Sequence, residues 1–122
     1  LPPVKMNLPP CKNISAAGEH SSALTNDNKL YVWGKNTALQ HGPALDNIHR
    51  TPVMLDTGVI DVELGETTIM TLKYDDKIDM RGGGVERVTA TAEGTVTQLC
   101  CGDEHFAYLN SSGAVYHLGG LF

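Results

Sequence analysis

The same short pattern recurs three times along this chain, and the recurrence constrains the fold more than any other feature. The clearest copy runs Gly18-Glu19-His20-Ser21-Ser22-Ala23-Leu24, turns through Thr25-Asn26-Asp27-Asn28-Lys29, and ends Leu30-Tyr31-Val32-Trp33-Gly34. A second lies at Gly102-Asp103-Glu104-His105-Phe106-Ala107-Tyr108-Leu109, Asn110-Ser111-Ser112-Gly113-Ala114 and Val115-Tyr116-His117-Leu118-Gly119. From His20 to Gly34 it aligns with the first without a gap, matching His20 to His105, Leu24 to Leu109, Asn28 to Gly113, Tyr31 to Tyr116 and Gly34 to Gly119. An eroded copy lies between them, from Gly65 through Leu72 and Asp76 to Gly82. Each copy follows an apolar stretch (14–17, 59–64 and 96–101), and further upstream lie Pro3-Val4-Lys5-Met6, Pro52-Val53-Met54-Leu55 and Val85-Glu86-Arg87-Val88.

Apolar runs bounded by turn residues read as strands. The pattern predicts strands near 4–6, 14–17, 20–25, 29–33, 52–55, 59–64, 68–73, 77–81, 85–90, 96–101, 105–109 and 114–118. Hairpins should reverse at Asn26-Asp27-Asn28, Asp75-Asp76 and Ser111-Ser112-Gly113; Asn28 and Gly113 share one repeat position and both tolerate positive φ. Four antiparallel strands per repeat is the make-up of a propeller blade, so the expected fold is all-β, with three four-stranded antiparallel blades. The repeats divide roughly as 1–51, 52–84 and 85–122. A β-sandwich is the alternative, but it does not require a repeat. The 13 glycines and 6% aromatic content suit short strands and tight turns.

Other propeller patterns fit less well. A WD40 strand would end in Trp-Asp, and kelch repeats carry a glycine doublet ahead of spaced aromatics. Here Gly18, His20, Ser21 and Leu24, then Leu30-Tyr31-Val32-Trp33-Gly34, Lys35-Asn36 and Gln40-His41-Gly42 resemble the RCC1 (regulator of chromosome condensation) repeat. That repeat reads Gly-x-x-His-(Ser/Thr)-x-x-Leu, a turn glycine, Leu-Tyr-x-Trp-Gly-x-Asn, then Gly-Gln-Leu-Gly. Ala38 and His41 depart from it; Leu118 replaces the Trp in the last copy; Thr68, Asp76 and Arg81 replace the His, turn glycine and Trp in the middle one. The resemblance implies an RCC1-like propeller, incomplete on its own, since propellers typically close with four to eight blades. It gives the matched residues structural roles: His20 and His105 bonding backbone within blades, Tyr31 and Trp33 filling space between them.

The same resemblance implies a protein-interaction or scaffold module rather than an enzyme, its propeller completed by missing sequence, by a second chain or by self-association. Guanine-nucleotide exchange on a small GTPase is the alternative function, and a hydrolytic or metal enzyme comes third. No cofactor or metal is expected, because the five histidines lack ligand spacing, and Gly82-Gly83-Gly84 precedes no helix that could cradle phosphate. The net charge of −5, with nine scattered Lys and Arg, disfavours nucleic acid. The acidic series from Asp56 to Asp79 reads as a solvated face. No apolar run approaches a membrane span, and Cys11, Cys100 and Cys101 read as buried free thiols of a reducing, intracellular compartment. Asn13 and Asn110 head N-glycosylation patterns of a kind that arises by chance.

The stretch from Lys35 to Thr51 is long and rich in breakers, and its counterpart in the middle copy shrinks to Gly82-Gly83-Gly84. Long loops in compact domains concentrate function. It supplies the candidate partner-binding residues Lys35, Asn36, Gln40, His41, Asp46, Asn47, His49 and Arg50.

Overall fold

The computed structural model describes residues 1–35, 48–82, 85–102 and 105–119. Among the described residues eleven strands form three antiparallel sheets, each strand pairing with its neighbours in sequence. The first sheet holds β1 (Cys11–Ala17), β2 (His20–Thr25), β3 (Leu30–Lys35) and β4 (Ile48–Asp56). The second holds β5 (Val59–Leu64), β6 (Thr68–Lys73), β7 (Lys77–Gly82) and β8 (Val85–Thr91). The third holds β9 (Val96–Cys101), β10 (His105–Asn110) and β11 (Val115–Gly119).

The repeat is reproduced residue for residue. His20 pairs with Gly34, Thr68 with Gly82 and His105 with Gly119. Asn28, Asp76 and Gly113 share the positive-φ turn position at 67°, 55° and 86°. The turns are stapled alike as well. Thr25 and Asn110 each accept, through a side-chain oxygen, the backbone N–H four residues on, at 2.9 and 3.0 Å. Asn110 is therefore 7% exposed and committed to its turn, which removes it as a glycan acceptor. An added Cβ at Gly113 would meet no atom within 4 Å, so Gly113→Ala should cost only the backbone strain of its φ of +86°. The expected loss is about 1 kcal/mol, read from the denaturant midpoint.

Two cores lie between the sheets, not within them. Leu24, Leu30 and Val32 of the first sheet pack on Val59, Val62, Leu64 and Ile69 of the second. Met70, Leu72, Ile78 and Met80, on the opposite face of the second sheet, pack on Val96, Leu99 and Tyr108 of the third. Strand alternation produces this arrangement, because successive side chains in β6 and β7 serve opposite neighbours. The leading strands β1, β5 and β9 approach one another in turn, so the sheets follow as blades of an open, unclosed propeller.

Three expectations need correction. Residues 52–55 belong to β4, the fourth strand of the first sheet, not the opening of the second, and 85–91 likewise close the second sheet. The sheets thus span 11–56, 59–91 and 96–119, offset from the repeats at 1–51, 52–84 and 85–122. A sequence period fixes the spacing of copies but not which neighbour an outer strand joins. Residues 4–6 form no strand for the same reason: outer strands pair with the third strand of the sheet before them. The third sheet has three described strands rather than four.

Candidate functional site

Polar side chains at the repeat positions fasten one blade to the next. Nε2 of His20, 2% exposed, bonds the carbonyl oxygen of Gly65 in the second sheet at 2.8 Å. In the next copy Thr68 takes the place of histidine and donates to the carbonyl of Gly102 at 2.8 Å. The substitution conserves the stitch while changing the side chain that makes it. Both bonds cross between blades, where the sequence placed the histidine bonds within them. Burial holds the His20 imidazole below the ordinary histidine range, and its bond to Gly65 only partly opposes this.

The first seam also carries charge. Asp56, at the end of β4, meets Lys73 at 2.8 Å and Arg81 at 3.7 Å, both from the second sheet. Beside them Asp79, 1% exposed, meets Arg87 at 2.7 Å and accepts a hydrogen bond from Thr89 at 2.7 Å. Burial alone would raise the Asp56 carboxyl, but Lys73, the Thr57 N–H and Arg81 together hold it below the usual range. The expected solvated acidic face is therefore wrong for Asp56 and Asp79. Their cations come from neighbouring strands and from the facing sheet, which a linear charge pattern does not display.

The outermost faces are bare where their counterparts are buried. Ile14, Val62 and Leu99 are repeat equivalents facing the preceding blade; they are 76%, 3% and 4% exposed. Leu30, Ile78 and Val115 are equivalents facing the following blade; they are 0%, 0% and 72% exposed. On the first sheet Ile14, Ala16 and Trp33, together with Met6 and Leu8, line an apolar groove of about 500 Å³. Tyr31 and Trp33 thus sit on an outer face, while Tyr116 stacks on Tyr108 with ring centroids 5.1 Å apart.

The cysteines are free, as expected, but Cys11 and Cys100 are exposed rather than buried. Cys101 faces the second seam, where burial pushes its thiol up to about 11 against the opposing bond to Thr68. A thiol reagent should therefore modify Cys11 and Cys100 in the native chain and spare Cys101 until denaturant is added. Mass spectrometry of the labelled peptides checks this.

Of the candidate loop residues, Lys35 ends β3, where its amide bonds the Glu19 carbonyl at 2.9 Å and its ammonium pairs with Glu19 at 2.7 Å. His49 and Arg50 lie in β4, His49 opposite Gly34, and Arg50 is exposed. Of the expected stretch 35–51, Lys35 and residues 48–51 thus belong to strands. Asn36, Gln40, His41, Asp46 and Asn47 lie outside the described residues. Among the described residues no group of three or more His, Cys, Asp or Glu is placed to hold a metal, and no helix is long and apolar enough to cross a membrane.

The model of the "Regulator of chromosome condensation (RCC1) repeat" matches residues 11–40, the stretch that carries His20, Trp33 and Gly34. The first repeat is thus RCC1-like. A human relative, the probable E3 ubiquitin-protein ligase HERC3, is 26% identical over 130 residues, covering 90% of this chain and 12% of HERC3. Among solved structures, human WBSCR16 superposes with a TM-score of 0.78 at 20% identity, over 94% of this chain and 34% of that one. Yeast RCC1 (Prp20), solved bound to Kap60, superposes at 0.72 and 19% identity, over 93% and 33%. Another structure of Prp20p from Saccharomyces cerevisiae, described with its binding properties to Gsp1p and histones, gives 0.72 and 20% over 93% and 34%. The chain thus spans about a third of these structures, and its three sheets share the fold of part of a propeller.

Proposed function

We propose that this chain is a non-catalytic protein-interaction module, three blades of a larger RCC1-like propeller completed by further blades. The observation that carries this reading is the matched exposure of the two outer faces. Ile14 and Val115 stand bare at positions whose counterparts form the cores. Residues Pro3 to Met6 support it too: they repeat the outer-strand sequence of Pro52 to Leu55, yet join no sheet. The buried polar groups described above, His20, Thr68, Asp56 and Asp79, are spent on joining blades, which suits a scaffold better than an enzyme. Exposed free thiols at Cys11 and Cys100 favour an intracellular, reducing setting, and the charge of −5 disfavours nucleic acid.

The interaction surface proposed is the β3–β4 connection with its flanks, Lys35, Asn36, Gln40, His41, Asp46, Asn47, His49 and Arg50. A native pull-down with mass spectrometry supplies the partner, and hydrogen exchange with and without it tests the surface. Peptides covering 36–51 should gain protection on binding; equal exchange in both states would make the loop a plain connector. Guanine-nucleotide exchange is the second reading, favoured by the Gsp1p binding described for Prp20p. Nucleotide release from a small GTPase separates the two. The scaffold reading expects the rate to stay unchanged when this chain is added.

A further inference from the structure

The three repeats differ at two positions that border each seam, and the differences are matched. The first position ends the outer strand of one sheet; the second is the Trp33 position of the next. At the first seam these are Asp56 and Arg81, 3.7 Å apart, with Lys73 on the same carboxylate. At the second seam Ala90 occupies the Asp56 position opposite Ile78, and Leu118 occupies the Arg81 position; both pack on the second core. Ahead of the first sheet, the outer-strand sequence Pro3 to Met6 continues into Asn7 where Pro52 to Leu55 continues into Asp56, and the position it would meet is Trp33. A carboxylate thus faces a guanidinium at the first seam, while a methyl and an isobutyl group pack on one apolar core at the second.

We propose that this pair of positions is a key that assigns each blade its neighbour. The physical basis is the asymmetry of buried charge. The Arg81 side chain is 10% exposed, and placed against Ala90 it would be a desolvated cation without its anion. Asp56 placed against Leu118 would be a desolvated anion without its cation. Either mismatch costs far more than the matched pair gains, so the key works mainly by rejecting wrong neighbours. The cation side of the key rests on Lys73, Arg81 and Arg87 and the anion side on Asp56 and Asp79. This inference holds whether or not the loop binds a partner, because it concerns the seams within the chain.

The test transplants one key onto the other seam and reads hydrogen exchange in the full chain. Asp56→Ala alone should speed exchange in 48–56 and 77–82 by about tenfold or more, because it strands Arg81. Adding Arg81→Leu should return those peptides close to wild-type protection, although the double change removes more native groups. The reverse transplant acts on 85–91 and 96–119: Leu118→Arg opens the second seam, and Ala90→Asp closes it again. If one single variant fails to fold, the transplant at the other seam carries the same test. Double variants as open as the sum of their single changes would overturn the key, as would exchange that rises equally in all three sheets after Asp56→Ala.

Discussion

Gly65→Ala should destabilise the chain by about 3 kcal/mol or more. A Cβ at Gly65 would lie 2.3 Å from the carbonyl oxygen of Gly102 and 2.2 Å from Oγ1 of Thr68. The first atom is backbone of the third sheet and cannot rotate away. The second is the hydroxyl that stitches the two sheets together. The methyl group would therefore push the blades apart at the point where their hydrogen bond holds them. Gly18 stands at the corresponding place in the first seam, where a Cβ would meet the Glu66 carbonyl at 2.4 Å. The repeat glycine marks a close approach between blades. Equilibrium unfolding in urea should show the loss in Gly65→Ala and only about a third of it in Gly113→Ala, where space is free.

His20→Ala should cost about 2–3 kcal/mol, through the cavity it leaves and the Gly65 carbonyl it orphans. The same residue should set a pH dependence. Its folded pKa is depressed, so the unfolded chain takes up the proton first. The stabilisation is complete above the unfolded value of about 6.5 and is lost as pH falls from there through the lower folded value. His20→Gln removes the titrating group, so the fall in stability below pH 6.5 should become shallower. Urea midpoints measured between pH 7.5 and 5 check both statements. A slope unchanged in His20→Gln would place the titration elsewhere.

Much of this architecture is legible in the sequence because the repeat lies in residues with strict geometric demands. Gly34 and Gly82, at φ of +99° and +102°, mark one register position, and Asn28, Asp76 and Gly113 mark the turn. What the sequence conceals depends on contacts between copies. Residues 52–55 carry the signature of a strand, but a linear period leaves open whether they close one sheet or open the next. Asp56 and Asp79 look solvated until the second sheet brings Lys73, Arg81 and Arg87 to them. Thr68 looks like an eroded histidine, yet a hydroxyl spans the second seam as the imidazole spans the first. Cys11 and Cys100 look buried by residue type, and lie exposed on the two outer sheets. The proposed interaction stretch is the least legible part, since no repeat equivalent of comparable length exists in the middle copy to define its role.

Stability and interaction meet at the two outer faces. Covering them would bury Ile14 and Met54 on one side and Val115 on the other, which are 76%, 52% and 72% exposed. Repeat blades bury such faces against neighbours, so the isolated chain should seek cover from another chain or another copy of itself. Hydroxyl-radical footprinting of Ile14, Met54 and Val115 over a range of chain concentrations tests this directly. The expected result is strong oxidation of all three in dilute solution and protection that grows with concentration or with added partner. Full protection of all three in a dilute, folded monomer would contradict the open propeller and require a closed fold, with a compact β-sandwich the first to consider.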